Sequence, residues 1–387
     1  MKRLSQFAKR VLHYHDTSLL LEQVDSGFIV TEIHTQPEKR VVIFDSTTHI
    51  SSLEKFKKPH HPLKNHTRVV LALDARHAAT IVSTVTIPRE NPTLPIAEGE
   101  LDAMLFHALW NFLNSYRPIA AKKLGVSELD LVVANIAVCG VHIQTHKVFN
   151  PLDFSGKEMC IEFRGTFITR ALLPDLERIS EFISEPIIVI ERGTILSEAL
   201  RESNTLVCVY NAYSSVYVTR GADTLHVGDV DWGVVEIVKK LAAHFGVSRA
   251  IVHDMLSTYA KNQVSEKIRN IIERTAKEEV RILISNMSPL LPKADTKSFS
   301  KMVYTILADA KFPATILTHQ KFQEAQMISK VHTSSLVHKW EGRTPPLCEQ
   351  RRNEIVTLIE YPYLHPQYAF LNQLLRRRVK WLVPHEK

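Results

Sequence analysis

Short apolar runs open the readable part of the chain. Between Thr17 and Phe44, "SLLLEQV", "GFIVTEIH" and "RVVIF" are rich in leucine and β-branched residues and are parted by polar breaks, so they predict three strands. The basic connector "EKFKKPHHPLKNHTR" has Phe56 as its one aromatic platform and reads as a solvated loop rather than a nucleic-acid patch. "RVVLALD" and "ATIVSTVTIP" predict two more strands. After them Leu101, Met104, Leu105, Ala108, Leu109, Phe112, Leu113 and Tyr116 recur at helical spacing on one face. "DLVVANIAVCGVHIQTHKVFNP" and "EMCIEFRGTFITR" return to strand patterning. Residues 68–170 are therefore expected to form an α+β module: a hairpin, a long helix and three further strands.

Downstream, "LLPDLERISEFI", "EPIIVIE" and "ILSEALRE" alternate helix, strand and helix. "LVCVYNAYSSVYVTRG" reads as two strands around a tight turn, followed by a strand in "TLHVGD" and a helical stretch from Trp232 to about Met287. "MVYTILAD" predicts a further strand, and proline-rich punctuation precedes a last amphipathic segment at residues 368–383. No repeat of solenoid period is visible in the sequence.

A chain of 387 residues implies two or three domains. At 45% hydrophobic and 23% charged residues it has the make-up of a soluble globular protein, and no apolar run approaches a membrane span. The opening "MKRLSQFAKRVLHYHD" is basic but has no apolar h-region, which argues against a secretory signal. Cys139, Cys160, Cys208 and Cys348 are far apart and read as reduced thiols in a cytoplasmic protein. A net charge of +7 suits an acidic partner surface, lipid or nucleic acid, without choosing between them.

Walker A, G-x-S-x-G, H-E-x-x-H and C-x-x-C motifs are absent. His13 with His15, and His60 with His61, lack a companion Cys or carboxylate cluster and read as surface histidines. Glu278 and Glu279 read as a solvated pair balanced by Arg274 and Arg281. No metal is expected.

The order of these features resembles the actin-like cell-division protein FtsA. A β-rich start, an inserted α+β module, a helix–strand–helix return, a hairpin and a helical subdomain follow one another in both. "NPLDFSGKEMCIEF" is similar to the turn and strand that close the inserted SHS2-type subdomain of that family, and "RVVLALD" to the strand that enters it. "GDVDWGVVEIVKKLAAHFGVSRAIVHDML" resembles the segment after the second phosphate hairpin. The resemblance spans roughly Leu19 to Leu307. It implies an α/β, actin-like (ribonuclease H-like) two-domain ATPase fold. Residues 1–67 and 171–202 would form the first subdomain, 68–170 the insertion, 203–330 the second domain with a helical part at about 232–287, and 331–387 a C-terminal extension.

The family's nucleotide contacts can be checked one by one. The first phosphate loop, Asp/Glu-x-Gly-Ser/Thr, is half kept. Aligned on Glu22, Val24 replaces the glycine; aligned on Asp25, Asp25-Ser26-Gly27 survives but Phe28 replaces the hydroxyl residue. The second loop should supply aspartates and glycines, yet reads "CVYNAYSS", leaving Asn211, Ser214 and Ser215. The adenosine-holding Glu-x-x-Lys falls on His253 and Leu256, and the adenosine Gly-Gly falls near Ala308-Asp309. Loss of the aspartates impairs Mg²⁺ coordination and phosphoryl transfer. Tyr210, Asn211 and Tyr213 would also project side chains where backbone amides should meet phosphate. The resemblance thus implies a nucleotide-site remnant with no catalytic residue and no cofactor. An active ATP-binding enzyme is the opposing reading.

In the tail, Phe370, Leu371, Leu374, Leu375, Arg378, Trp381 and Leu382 fall on one side of a helix, flanked by Arg376, Arg377 and Lys380. Such a helix would lie on anionic lipid or dock on the body of the protein. Leu4, Phe7, Val11 and Leu12 with Lys2, Arg3, Lys9 and Arg10 make a second basic amphipathic segment. The expectation is a cytoplasmic scaffold, peripheral at the inner face of a bacterial membrane. Its partners would be division proteins, with possible self-association and no nucleic acid. A PilM-like component of type IV pilus assembly, holding a peptide from a membrane partner beside the inserted module, is the alternative.

Overall fold

The computed structural model describes residues 17–24, 27–36, 41–56, 67–183, 187–199, 205–220, 223–291, 304–308, 326–327, 339–341, 352–360 and 366–379. The chain divides into two compact units. One comprises Met1–Ile195, Ser334–Pro345 and Ile355–Lys387; the other comprises Leu196–Thr333 and Pro346–Glu354.

The first unit is built on strands β1 (Thr17–Val24), β2 (Gly27–Gln36), β3 (Val41–Ile50), β4 (Thr67–Leu73) and, later in the chain, β9 (Ile187–Glu191). β1 pairs antiparallel with β2, and β2 with β3. β4 lies parallel to β1, and β9 parallel to β4. The central strands carry Leu19-Leu20-Leu21 and Val69-Val70-Leu71, all buried, because both faces of the sheet are covered. A short strand, β15 (Lys339–Glu341), adds in parallel at the β3 edge.

Between β4 and β9 the chain inserts a module with its own four-stranded sheet, order β5-β8-β6-β7. It runs β5 (Ala78–Pro88), helix α1 (Glu98–Leu124), β6 (Leu131–Ile143), the two-residue β7 (His146–Lys147) and β8 (Glu158–Thr169). Its main elements thus follow the order strand, helix, strand, strand. The apolar stripe of α1 enters this core, with Phe112 fully buried beside Phe163 and Phe167. The expected hairpin over 68–88 does not form. β4 belongs to the six-stranded sheet and β5 pairs with β8, so the module's own sheet begins at Ala78. Helices α2 (Leu173–Phe182) and α3 (Arg192–Ala199) flank β9.

The second unit repeats the plan. β10 (Thr205–Val209), β11 (Ser214–Arg220), β12 (Asp223–Val230), β13 (Tyr304–Ala308) and β14 (Gln326–Met327) take the order β12-β11-β10-β13-β14. Two antiparallel pairings are again followed by two parallel ones. Helices α4 (Val234–Phe245), α5 (Arg249–Ala260) and α6 (Glu266–Met287) follow β12 in sequence. Ser248 and Ser265 cap α5 and α6 by accepting from the Ile251 and Ile268 amides.

Helix α7 (Arg352–Glu360) precedes α8 (Ala369–Val379). No helix among the described residues is long and apolar enough to cross a membrane.

Candidate functional site

In the second unit the β10–β11 turn is the one that the sequence resemblance equates with a second phosphate loop. The Tyr210 amide donates to the Tyr213 carbonyl at 2.9 Å, closing the turn on itself. The turn's outer carbonyls face a helix: the Val234 amide donates to Tyr210 at 3.1 Å and the Val235 amide to Asn211 at 2.8 Å. These are first-turn donors of α4, the groups that make a helix N-terminus an anion site. Here the protein's own carbonyls take them. A Cβ on Gly233 would collide with the Asn211 and Tyr210 carbonyl oxygens, so the close approach requires glycine there.

The turn's side chains are used in the same way. Tyr210 and Tyr213, expected to project where amides should meet phosphate, are buried and stack at 4.6 Å. Asn211 and Ala212 are the exposed residues of the turn. Ser214 donates to the Trp232 carbonyl and Ser215 to the Asp229 carboxylate, each at 2.7 Å. Both hydroxyls are buried structural donors.

Trp232 carries this arrangement into the helices. Its indole N–H reaches Glu279 Oε2 at 3.1 Å, and Lys240 meets Oε1 at 2.9 Å. Glu279 is therefore buried, which corrects the solvated pair expected of Glu278 and Glu279. His253 and Leu256 lie on α5. Leu256 is wholly buried in the helical core, and His253 Nδ1 is buried with no hydrogen-bond partner among the described residues.

In the first unit Glu22, one of the two candidates for the first phosphate-loop acid, is buried and ion-paired with Arg192 Nη1 at 3.2 Å. A guanidinium from the start of α3 thus stands against this carboxylate. Gly27 has φ +134°, and a Cβ there would strike the Ile50 carbonyl and the Ser51 backbone. Packing of the β2 start against the end of β3 accounts for that glycine. Asp25 and Ser26 lie outside the described residues.

The sequence reading missed the group around Glu191, the residue before Arg192. Glu191 is fully buried and accepts from Lys123 Nζ at 2.6 Å, the Thr80 amide at 2.9 Å and the Thr194 hydroxyl at 3.0 Å. The Thr80 hydroxyl in turn meets the Glu191 amide at 2.9 Å. These contacts tie the first residues of β5 and the last turn of α1 to the end of β9. Nearby, His77 Nδ1 lies 2.6 Å from Asp74 Oδ1, and the hydrogen bond to that carboxylate raises the histidine pKa against the opposing effect of burial. Neither cluster has a motif spacing that announces it.

Of the two readings of the C-terminal segment, the described part of α8 follows the docked one. Leu371 and Leu375 of α8, with Tyr368, are buried in the core of the inserted module, and Phe370 and Leu374 pack partly against it. The stripe expected to meet lipid is turned to the protein. Arg376 and Arg377 are exposed; Arg378 pairs with Asp102 and lies over the Phe106 ring at 5.7 Å. Lys380, Trp381, Leu382 and the N-terminal amphipathic segment lie outside the described residues.

The doubled sheet order, with one insertion after β4 and helices after β12, defines the two-domain actin-like, ribonuclease H-like fold. No family model and no curated protein matches the chain. Among solved structures it is similar to one described as the PilM-PilN type IV pilus biogenesis complex, at 12% identity and a TM-score of 0.48, over 91% of this chain and 98% of that one. It is also similar to the cytoplasmic domain of EpsL, an inner membrane component of the type II secretion system of Vibrio cholerae, at 9% identity and 0.34, over 88% and 95%. A Bacteroides thetaiotaomicron protein of actin-like ATPase fold and unknown function matches at 10% identity and 0.28, over 60% and 79%. At these values the comparisons stand beside the strand order and add no detail of function.

Proposed function

We propose that this protein is a non-catalytic actin-fold scaffold, a pseudo-ATPase that holds protein partners of a membrane-associated assembly machine. One observation carries the reading: the turn where a phosphate loop is expected closes on itself through the Tyr210 amide and caps α4 through the Tyr210 and Asn211 carbonyls. The Glu22–Arg192 pair supports it, because a carboxylate neutralised from within is a poor Mg²⁺ ligand. With the nucleotide positions closed, the fold's surfaces remain as its means of action.

The docked α8 favours a pilus-type assembly role over the division role. An FtsA-like anchor needs its apolar stripe free for lipid, whereas Leu371 and Leu375 are committed to the module. In this reading the strand–helix–strand–strand insertion is an SHS2-type subdomain and receives a peptide from a membrane partner. The test sets the purified chain against the cytoplasmic tail of a pilus-type inner-membrane protein and, separately, against anionic liposomes. A stable complex with the tail, formed without lipid, supports the assembly role. Sedimentation with the liposomes and no such complex would return the protein to the division reading.

A further inference from the structure

One edge of the module's sheet is unguarded. The opposite edge is closed, since β7 pairs with the end of β6 and Asn372 of α8 bonds both backbone groups of Val138. β5 lies at the other end of the order and pairs with β8. Which of its backbone groups point outward follows from two sets of contacts. The Thr80 amide donates to the Glu191 carboxylate at 2.9 Å and its carbonyl accepts from the Thr194 hydroxyl at 3.4 Å, so neither serves the ladder to β8. The Arg89 amide, by contrast, donates to the Lys157 carbonyl at 2.9 Å, on the β8 side. Successive residues of a strand turn these groups to alternate sides, and the β5–β8 register has no shift. The amides and carbonyls of Val82, Thr84 and Thr86 therefore face the open edge, where β5 has no strand partner among the described residues.

The open run is bounded at both ends. Glu191 and Thr194 occupy the outward side at Thr80, and Pro88 has no amide hydrogen to offer. Between them "VSTVTIP" carries no charged side chain, and Thr84, Thr86 and Pro88 are exposed. Monomeric proteins ordinarily shield such an edge with lysine, a bulge or a covering loop. This one is instead complementary to itself. Laid antiparallel about Val85, two copies place Val82 opposite Pro88 and Thr84 opposite Thr86. Each outward amide then meets a carbonyl of the other copy: Val82 that of Pro88, Thr84 that of Thr86, and Thr86 that of Thr84. A register closer to Thr80 would drive the incoming Pro88 against Glu191 and Thr194. One closer to Pro88 leaves the Val82 amide without a strand carbonyl. At the centre half-buried Val85 meets its own copy, and each Thr84 meets a Thr86, so no like charges oppose each other.

We propose that β5 is a dimerisation edge, pairing antiparallel about Val85 with β5 of a second copy of this chain. The two four-stranded sheets would join into one of eight strands. The interface is isologous, each residue meeting the one that meets it in return. It rests on backbone hydrogen bonds and neutral side chains, so the dimer should persist at high salt.

Sedimentation velocity of the full chain tests this. A reversible dimer is expected at micromolar concentrations. Thr84→Lys combined with Thr86→Lys sets like charges opposite one another and should weaken it by about tenfold or more. Thr84→Lys combined with Thr86→Glu guards against misfolded variants. In this register the new cation faces the new anion of the other copy, and the dimer should return. Val85→Cys should also form an intermolecular disulfide under diamide, since facing residues at such a position have Cα atoms about 4.5 Å apart. The natural chain, and Ile251→Cys at an exposed residue of the second unit, should not. A natural chain that stays monomeric into the high micromolar range overturns the proposal. So does a dimer indifferent to the lysine pair, no recovery with the lysine–glutamate pair, or no cross-link through Val85→Cys. A monomer that binds an extended partner peptide, and loses it in the lysine variant, also overturns it and gives the edge to a foreign strand.

Discussion

The side-chain amide of Asn372 pairs with the backbone of Val138 as a neighbouring strand would. Its Oδ1 accepts from the Val138 amide at 2.7 Å and its Nδ2 donates to the Val138 carbonyl at 3.1 Å. Val138 lies where the β6 register shifts against β8, and β7 pairs with β6 only at its far end. A helix 234 residues onward thus satisfies a sheet edge that would otherwise face water or another chain. This pair fixes α8 on the module and decides the fate of the C-terminal stripe.

Asn372→Ala removes both bonds and leaves a backbone N–H and C=O unmatched in a partly buried site. The cost should be about 1–3 kcal/mol. It is read as a lower denaturant midpoint for the unit that contains the module, with faster proteolysis at residues 366–379. Asn372→Asp keeps the acceptor alone and should fall between the two.

The Glu22–Arg192 pair is expected to behave as a buried ion pair. Arg192→Met removes the guanidinium that faces the buried Glu22 carboxylate and should destabilise the protein by about 3–5 kcal/mol. Glu22→Gln added to that background should recover most of the loss, in a double-mutant cycle followed by urea unfolding. Equal costs for the single and double variants would remove the coupling.

Trp232→Phe keeps the ring but deletes the donor to Glu279, whose Lys240 contact remains. A loss of about 1–3 kcal/mol in the stability of the second unit is expected. Nucleotide titrations should not change, since the indole serves the helical core.

His77 gives a pH signature of defined sign. Asp74 raises its pKa in the folded state, through the hydrogen bond first and charge second. Its contribution to stability is therefore fully present below the unfolded value, near 6.5, and is lost as pH rises through the higher folded value. Melting temperature should fall across that window, and Asp74→Asn should flatten the fall. An NMR titration of the His77 ring reads the same shift directly.

Much of the fold was legible because period and composition report burial. The three opening strands, the stripe of α1 and the β10–β11 hairpin follow from their apolar spacing. The repeated sheet order was not legible, since strand pairing leaves no sequence period when the connections differ so much in length. Adjacency in sequence suggested a β4–β5 hairpin, whereas long-range parallel pairing takes β4 to β1. That the β10–β11 turn lacks glycines and aspartates could be read from the sequence. Its closure onto α4 could not, because backbone carbonyls carry no residue code. Glu279, Glu191 and Asn372 look like surface residues until their distant partners are known, and the α8 stripe fits lipid and protein equally well on periodicity alone.

The central claim is that the nucleotide positions are closed from within. Calorimetric titration of the full chain with Mg-ATP and Mg-ADP tests it most directly. No binding heat is predicted at nucleotide concentrations up to the millimolar range. Saturable binding at micromolar strength, with a melting temperature that rises with nucleotide, would contradict the account and make this protein a nucleotide-bound member of the actin-like fold.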